Sequence, residues 1–182
     1  NSEYREAVFV GYRYFDTFDK KVRYPFGFGL SYTTFEYSDL KVTENGAAFT
    51  VRNAGTVDGT EVAQLYVGLP DSRILRPKKE LKGFAKIFLA AGESMEVTIP
   101  FDKYTFRYWN VKKKGWAVET GSYRISVGSS AADIRLTGDI VIKGEEAPAP
   151  YDDGKLTAYK KGQILSIPDE AFAELLGGPI PD

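Results

Sequence analysis

The 182-residue chain is 43% hydrophobic and 14% aromatic, enough apolar material to fill the core of one ordinary domain, which excludes a disordered segment. Its formal net charge of -1 removes the electrostatic case for a nucleic-acid or acidic-membrane partner. Histidine and cysteine are both absent, so Ser-His-Asp and Cys-His triads, disulfides and the common zinc sites are excluded within this sequence.

The lack of cysteine fits a reducing compartment such as a bacterial cytoplasm. No apolar run is long enough to cross a bilayer, no signal-peptide pattern is present, and Asn1 is not a natural start. Residues 1 to 23 alternate Val8, Val10, Tyr12 and Tyr14 with Phe9, Gly11 and Arg13, which predicts an extended segment. Both of its sides are apolar, so it is expected to pack between two bodies. The stretch Tyr24-Pro25-Phe26-Gly27-Phe28-Gly29-Leu30-Ser31-Tyr32-Thr33-Thr34-Phe35 follows. Its glycines permit close approach, its proline fixes φ and its phenylalanines need cover, so it reads as an ordered connection pressed onto neighbouring structure.

From Phe35 the pattern turns to strand, turn, strand. Phe35 to Val42 precedes the hairpin signal Glu44-Asn45-Gly46, and Ala48 to Arg52 ends in Asn53-Ala54-Gly55. Glu61 to Val67, Leu81 to Leu89 and Ser94 to Ile99 follow, the last with Met95, Val97 and Ile99 inward. Phe106 to Asn110, Gly115 to Val118, Tyr123 to Val127 and Ile134 to Ile142 complete the set. Short strands at this spacing, with Gly/Asn turns and no helical stretch among them, predict an antiparallel β-sandwich. After Lys143, Glu145-Glu146-Ala147-Pro148-Ala149-Pro150 reads as an extended linker. Ser166-Ile167-Pro168-Asp169 has the form of a capping box, with Phe172, Leu175 and Leu176 on one face and Gly177-Gly178-Pro179 as the stop. So short a helix must dock, either on the sandwich or, the favoured expectation, on a further domain.

Four groups carry a sharp reading beside a plain one. Asp16, Asp19, Asp152 and Asp153 have the chemistry of a sugar site but read as solvated turn residues. Tyr104, Tyr108, Trp109 and Trp116 have the makings of a sugar-stacking platform but read as core or interface. Arg76-Pro77-Lys78-Lys79 and Lys112-Lys113-Lys114 read as a solvated loop and a hairpin tip. Gly128-Ser129-Ser130 lacks the signature of a phosphate loop.

Tyr4-Arg5-Glu6-Ala7-Val8-Phe9-Val10-Gly11-Tyr12-Arg13-Tyr14-Phe15 followed by Tyr24 to Tyr32 resembles a junction in glycoside hydrolase family 3, where an α/β sandwich domain meets a fibronectin type III-like domain. Val51-Arg52-Asn53-Ala54-Gly55, Gly59 to Val67, Arg76 to Phe84 and Gly121 to Ser130 resemble that family's fibronectin-like blocks, in the same order. The chain departs from the family at Ala7, often glycine there, at Phe28, often histidine or tyrosine, and at Asn110, usually aspartate.

The resemblance implies an all-β, immunoglobulin-like (fibronectin type III-like) antiparallel sandwich with an extended amino-terminal strap and a short helical tail. Residues 1–34 would be the end of the α/β sandwich domain and a linker, 35–143 the sandwich, and 144–182 the linker and tail. The parent would hydrolyse β-glycosidic bonds with retention, most often as a β-glucosidase. It would use an aspartate nucleophile on a TIM barrel and a glutamate acid/base on the α/β sandwich domain. Neither motif occurs here, so this chain is expected to hold no catalytic residue, cofactor or metal and to be inactive alone. In some members the barrel follows the fibronectin-like domain. Tyr12, Tyr14, Phe15, Tyr24, Phe26 and Phe28 are expected to pack against the catalytic domains. The implied partners are those domains and a β-linked oligosaccharide or aryl glycoside, with neither nucleic acid nor membrane. A carbohydrate-binding module or a separate interaction subunit is the alternative.

Overall fold

The computed structural model describes residues 2–181. Among the described residues nine strands form in order: β1 Phe35–Thr43, β2 Gly46–Asn53, β3 Gly59–Gly68, β4 Glu80–Leu89, β5 Ser94–Pro100, β6 Arg107–Asn110, β7 Gly115–Val118, β8 Gly121–Gly128 and β9 Ile134–Ile142. One sheet runs β1-β2-β5 and the facing one β4-β3-β8-β9, while β6-β7 is a separate hairpin. All the pairings are antiparallel. This is the all-β sandwich that the strand pattern and the resemblance imply.

Period-2 alternation sets the core. Ala47, Phe49 and Val51 of β2 and Val97 and Ile99 of β5 face Ala63, Leu65 and Val67 of β3, Ile87 and Leu89 of β4, and Tyr123, Ile125 and Val127 of β8. Each large buried side chain contributes about 1.5–3 kcal/mol relative to exposure. Met95, expected inward, is 40% exposed because it sits at the opening turn of β5. On β8 the Tyr123 hydroxyl donates to the Glu119 carbonyl at 2.8 Å. That tie to the backbone just upstream is the tyrosine corner of immunoglobulin-like sandwiches.

The amino-terminal segment is not extended. Turns close from Ala7 N–H to Tyr4 O (3.1 Å) and from Phe9 N–H to Glu6 O (3.0 Å). Gly11, at φ 57°, then bends the chain into α1, Tyr12–Thr17. The alternation at residues 8 to 14 is aromatic on both sides, and packing of Phe9 decides the conformation instead of period. Phe9 is 2% exposed and meets Phe18 edge-on at 5.0 Å.

The tail docks within the chain rather than waiting for a further domain. A 3-10 turn at Asp153–Leu156, α2 at Thr157–Lys160 and α3 at Asp169–Leu176 pack Leu156, Tyr159, Ile167, Ala171 and Phe172 around Phe9. The Tyr159 hydroxyl donates to Arg5 O at 2.8 Å, and Tyr14 donates to Gly162 O at 3.1 Å. Burial pushes the Tyr159 phenol up to about 12, so it remains a donor at neutral pH. The linker is fastened too, with Pro148 O accepting from Asn110 Nδ2 at 2.8 Å and Glu145 N–H donating to Val118 O at 3.1 Å.

Two details of α3 differ from the expectation. Ser166 does not cap it: the N-cap is Pro168, with no side-chain cap. Asp169 instead accepts from Arg5 Nη1 at 2.6 Å, which spends the carboxylate expected to close the box. Leu176 is 45% exposed at the last position, so the inward face is Ala171, Phe172 and Leu175. Gly177 ends the helix at φ 74°, as expected of a C-cap glycine.

This second cluster yields a local prediction. Phe9→Ala removes a buried ring, at a cost of about 3–5 kcal/mol. The amides of Lys161, Phe172 and Gly177, which close the tail's turns, are expected to exchange with solvent at least about 100-fold faster. Amides of β2, β3 and β8 are expected to be unchanged, as hydrogen-exchange mass spectrometry reads directly.

Candidate docking site

The strap crosses the outer face of the β4-β3-β8-β9 sheet and is held from behind at three places. First, α1 lays Tyr12 edge-on against Tyr66 of β3 at 6.0 Å and flat against Phe26 at 4.6 Å. The Tyr12 hydroxyl accepts from Leu81 N–H at 2.8 Å, and Lys79 Nζ sits 2.7 Å from both Asp16 oxygens. Lys78 N–H donates to Thr17 Oγ1 at 2.9 Å.

Second, the turn at Phe26-Gly27 lands on β3 and β8. Gln64 donates through Nε2 to Ser129 O at 2.6 Å and to Gly27 O at 3.3 Å, and accepts from Tyr66 Oη at 2.5 Å. Burial, then Tyr12 and Asp16, raise the Tyr66 phenol well above its ordinary value, which keeps it a donor. Gly27 has φ 80°, and a Cβ there would lie 2.3 Å from the Gln64 amide oxygen. The φ favours glycine at this position, and any larger residue would also push the Gln64 amide off its partners. Third, Thr33 Oγ1 donates to Asn53 Oδ1 at 2.6 Å, and Ala54 N–H donates to Thr34 O at 2.9 Å.

Away from those ties the strap exposes apolar side chains at every second residue. Val22 is 40% exposed, Tyr24 63%, Phe26 47%, Phe28 49%, Leu30 91% and Tyr32 100%. Phe15 is 41% exposed beside them and, with Tyr12, Val22, Tyr24 and Phe26, lines a cleft of about 370 Å³. Single exposed apolar residues are ordinary, but a contiguous run of this size marks an interaction surface. Of the six aromatics singled out from sequence, Phe15, Tyr24, Phe26 and Phe28 present surface here. Tyr12 and Tyr14 are half-buried within the chain. Gln64, Tyr66, Thr33 and Asn53 fix the strap and escaped the sequence reading. The one signal for them was Gln64-Leu65-Tyr66, where polar atoms alternate out of an apolar strand.

The carboxylates do not converge on one site. Asp16 is not solvated but ion-paired with Lys79, whereas Asp19 is the solvated turn residue expected, 82% exposed and 3.2 Å from Lys78. Asp152 accepts from Gly154 N–H at 3.0 Å to cap the 3-10 turn, and Asp153 pairs with Lys160. The basic run is not simply a solvated loop. Arg76 Nη2 reaches the buried Glu119 at 3.3 Å, and Pro77 is buried. Among the described residues, no group of three or more Asp and Glu has the arrangement of a metal site. Tyr104, Trp109 and Trp116 are not core. They are 48%, 51% and 49% exposed, with the Arg107 guanidinium 3.8 Å from both the Tyr104 and Trp116 rings.

Asp133 secures the β8-β9 turn on which the strap lands, accepting from Arg135 Nε at 2.7 Å and Ser129 Oγ at 2.7 Å. The bonds from Arg135, then Ser129, hold its carboxyl below the ordinary value of 3.8. A depressed folded pKa adds stability that is fully present above about 3.8 and is lost as pH falls below it. Asp133→Asn is therefore expected to be less stable than the parent at pH 6. The gap should close as pH drops below the ordinary aspartate value, as urea midpoints measured across pH would show.

Residues 61–131 match the family model of the fibronectin type III-like domain. The exo-alpha-(1->6)-L-arabinopyranosidase of Bifidobacterium breve is 46% identical over an alignment covering 98% of this chain and 27% of that protein. The thermostable beta-glucosidase B of Acetivibrio thermocellus is 46% identical over 74% of this chain and 19% of its own length. Among solved structures, the Bifidobacterium adolescentis GH3 beta-glucosidase matches with a TM-score of 0.74 and 43% identity, over 88% of this chain and 25% of that one. The chain thus spans about a quarter of the length of the relatives it matches. The sandwich is a fibronectin type III-like domain. With its strap and tail, the chain matches one part of such larger glycosidases, among them a glycoside hydrolase family 3 beta-glucosidase.

Proposed function

We propose that this chain is the non-catalytic, carboxy-terminal part of a family 3 glycoside hydrolase, and that its strap holds the catalytic domains at a fixed angle. The observation that carries this is the apolar stripe from Val22 to Tyr32, exposed on one side and pinned to the sheet on the other. Phe15, Tyr24, Phe26 and Phe28 make the contact with the TIM-barrel and α/β sandwich domains of the parent, and Tyr12 and Tyr14 position them. Residues 1–34 form the end of the α/β sandwich domain and its linker, 35–143 the fibronectin-like unit and 144–182 the tail. A large apolar interface of this kind makes relative domain motion costly.

The parent's reaction is hydrolysis of a glycosidic bond, with an aryl β-glucoside as the first substrate to try. The name of the Bifidobacterium breve relative makes an aryl α-L-arabinopyranoside the second. The full-length protein is expected to turn over one of the two, and the purified 182-residue chain neither. Turnover by the chain, abolished by a point mutation within it, overturns the reading.

A second reading, carbohydrate binding, is favoured by one observation. Tyr104, Arg107, Trp109 and Trp116 line a groove of about 480 Å³ together with Glu80 and Lys82. Ring faces beside charged groups suit a pyranose, which has an apolar face and a hydroxyl edge. Titration with cello- and xylo-oligosaccharides decides it: heat that disappears in Trp109→Ala supports binding, and no heat at millimolar sugar removes it.

A further inference from the structure

The strap covers only part of the outer sheet face. Where β3 pairs with β4, Gln64 lies opposite Phe84, Val62 opposite Lys86 and Thr60 opposite Phe88. Gln64 is buried beneath the strap, but Phe84 is 66% exposed, Phe88 60% and Val62 37%. These side chains stand on the face that carries Gln64 and Tyr66, so the bare patch begins where the strap stops. The other half of the same face is different. On β8 and β9 it shows Arg124 ion-paired with Asp139 at 3.2 Å, with Thr137 exposed beside them. That face is therefore largely polar where β8 and β9 run, with Val141 (76% exposed) as its bare aliphatic side chain, and aromatic where β3 and β4 run. Strand alternation against solvent would make both halves polar.

We propose that the β3-β4 face, through Val62, Phe84 and Phe88, is the second half of the docking surface, and that its occupant is the catalytic portion of the same polypeptide. This inference rests on the proposed function and extends it from the strap to the sheet. Three observations select that occupant over a second copy of the chain. The patch is continuous with the strap, because Gln64, directly opposite Phe84, is the residue that binds Gly27 O. The chain amounts to 27% of the Bifidobacterium breve relative, so most of such a polypeptide remains to be placed against it. Lys86 lies between the two phenylalanines along the strand and is exposed. An acidic group on the opposing surface would complement it, whereas a two-fold copy laid face to face on this strand would bring lysine near lysine.

Hydroxyl-radical footprinting of the full-length protein tests this, with Val141 (76% exposed) and Leu165 (99%) as internal exposed standards and rates corrected for intrinsic reactivity. Phe84 and Phe88 are expected to be protected at least about five-fold relative to the standards, equally at high and low protein concentration. Protection that fades on dilution assigns the face to a second copy and overturns the inference. Full reactivity of Phe84 and Phe88 with Tyr24, Phe28 and Tyr32 protected also overturns it, and leaves the strap interface standing. Full reactivity of all five overturns both.

Discussion

Glu119→Ala is expected to destabilise the protein by about 3–5 kcal/mol, the cost of removing one partner from a buried ion pair. The Glu119 side chain is 6% exposed and Arg76 14%. The carboxylate accepts from Ser72 Oγ and Arg73 N–H, both at 2.7 Å, and from Arg76 Nη2 at 3.3 Å. Alanine would leave the Arg76 guanidinium buried between the rings of Tyr108 and Tyr123, 5.7 and 6.0 Å away, with no counter-charge. The loop that Glu119 folds also presents Leu75 N–H to the Tyr151 hydroxyl, so the tail should loosen with it. For a domain of this size the melting temperature should fall by about 6–20 °C. The double variant Glu119→Leu with Arg76→Met is expected to recover most of the loss, because replacing both members of a buried pair by apolar groups is close to neutral. Thermal melts of the two variants check both statements. A single variant that melts within about 2 °C of the parent would show that water reaches Arg76 freely.

Asn53→Ala carries the second large effect. Asn53 is fully buried at the end of β2. Its Nδ2 donates to Val57 O at 2.8 Å and Leu89 O at 3.1 Å, and its Oδ1 accepts from Gly55 N–H at 3.1 Å and Thr33 Oγ1 at 2.6 Å. One side chain thus joins β2, the 53–59 turn, the end of β4 and the strap. Each buried partner left unsatisfied costs about 1–3 kcal/mol, and relaxation or entry of water offsets part of the sum. A net loss of about 3 kcal/mol is expected, read as a lower urea midpoint with an unchanged slope. Asn53→Asp separates geometry from donor chemistry. It keeps the acceptor toward Thr33 and loses both donors to carbonyls, so it should be nearly as damaging as alanine. Thr33→Val, which removes only the strap tie, should cost about 1 kcal/mol.

The strands were legible because they obey a local rule. β2, β3, β5 and β8 alternate apolar with polar side chains between Asn/Gly turns, and their cores fall where the alternation puts them. What escaped was decided by contacts distant in sequence. Val8 to Tyr14 has a strand's period, yet Phe9 is drawn inward by Leu156 and Phe172, and Gly11 bends the chain into a helix. Ser166 to Asp169 has the composition of a capping box, but Arg5 takes the carboxylate. Arg76 to Lys79 reads as a solvated basic run because its counter-charges, Glu119 and Asp16, are far away in the chain. The strap aromatics were visible as a need for cover. Gln64 and Tyr66, which hold the strap from behind, were masked by an apolar strand in which burial on both faces looks like simple core. Trp109 and Trp116 read as core or interface on residue type, and the core alternative does not hold. Their cross-strand pairing on a hairpin outside both main sheets leaves them half exposed.

In the proposed function the strap's apolar stripe belongs against catalytic domains of the same polypeptide. The most direct test is the intact mass of the protein that carries the Tyr24–Phe35 sequence, as its source cell makes it. The account predicts one species several times heavier than the 20.2 kDa of this chain. A stable species of 20.2 kDa, with no heavier form bearing the same peptides, would contradict it.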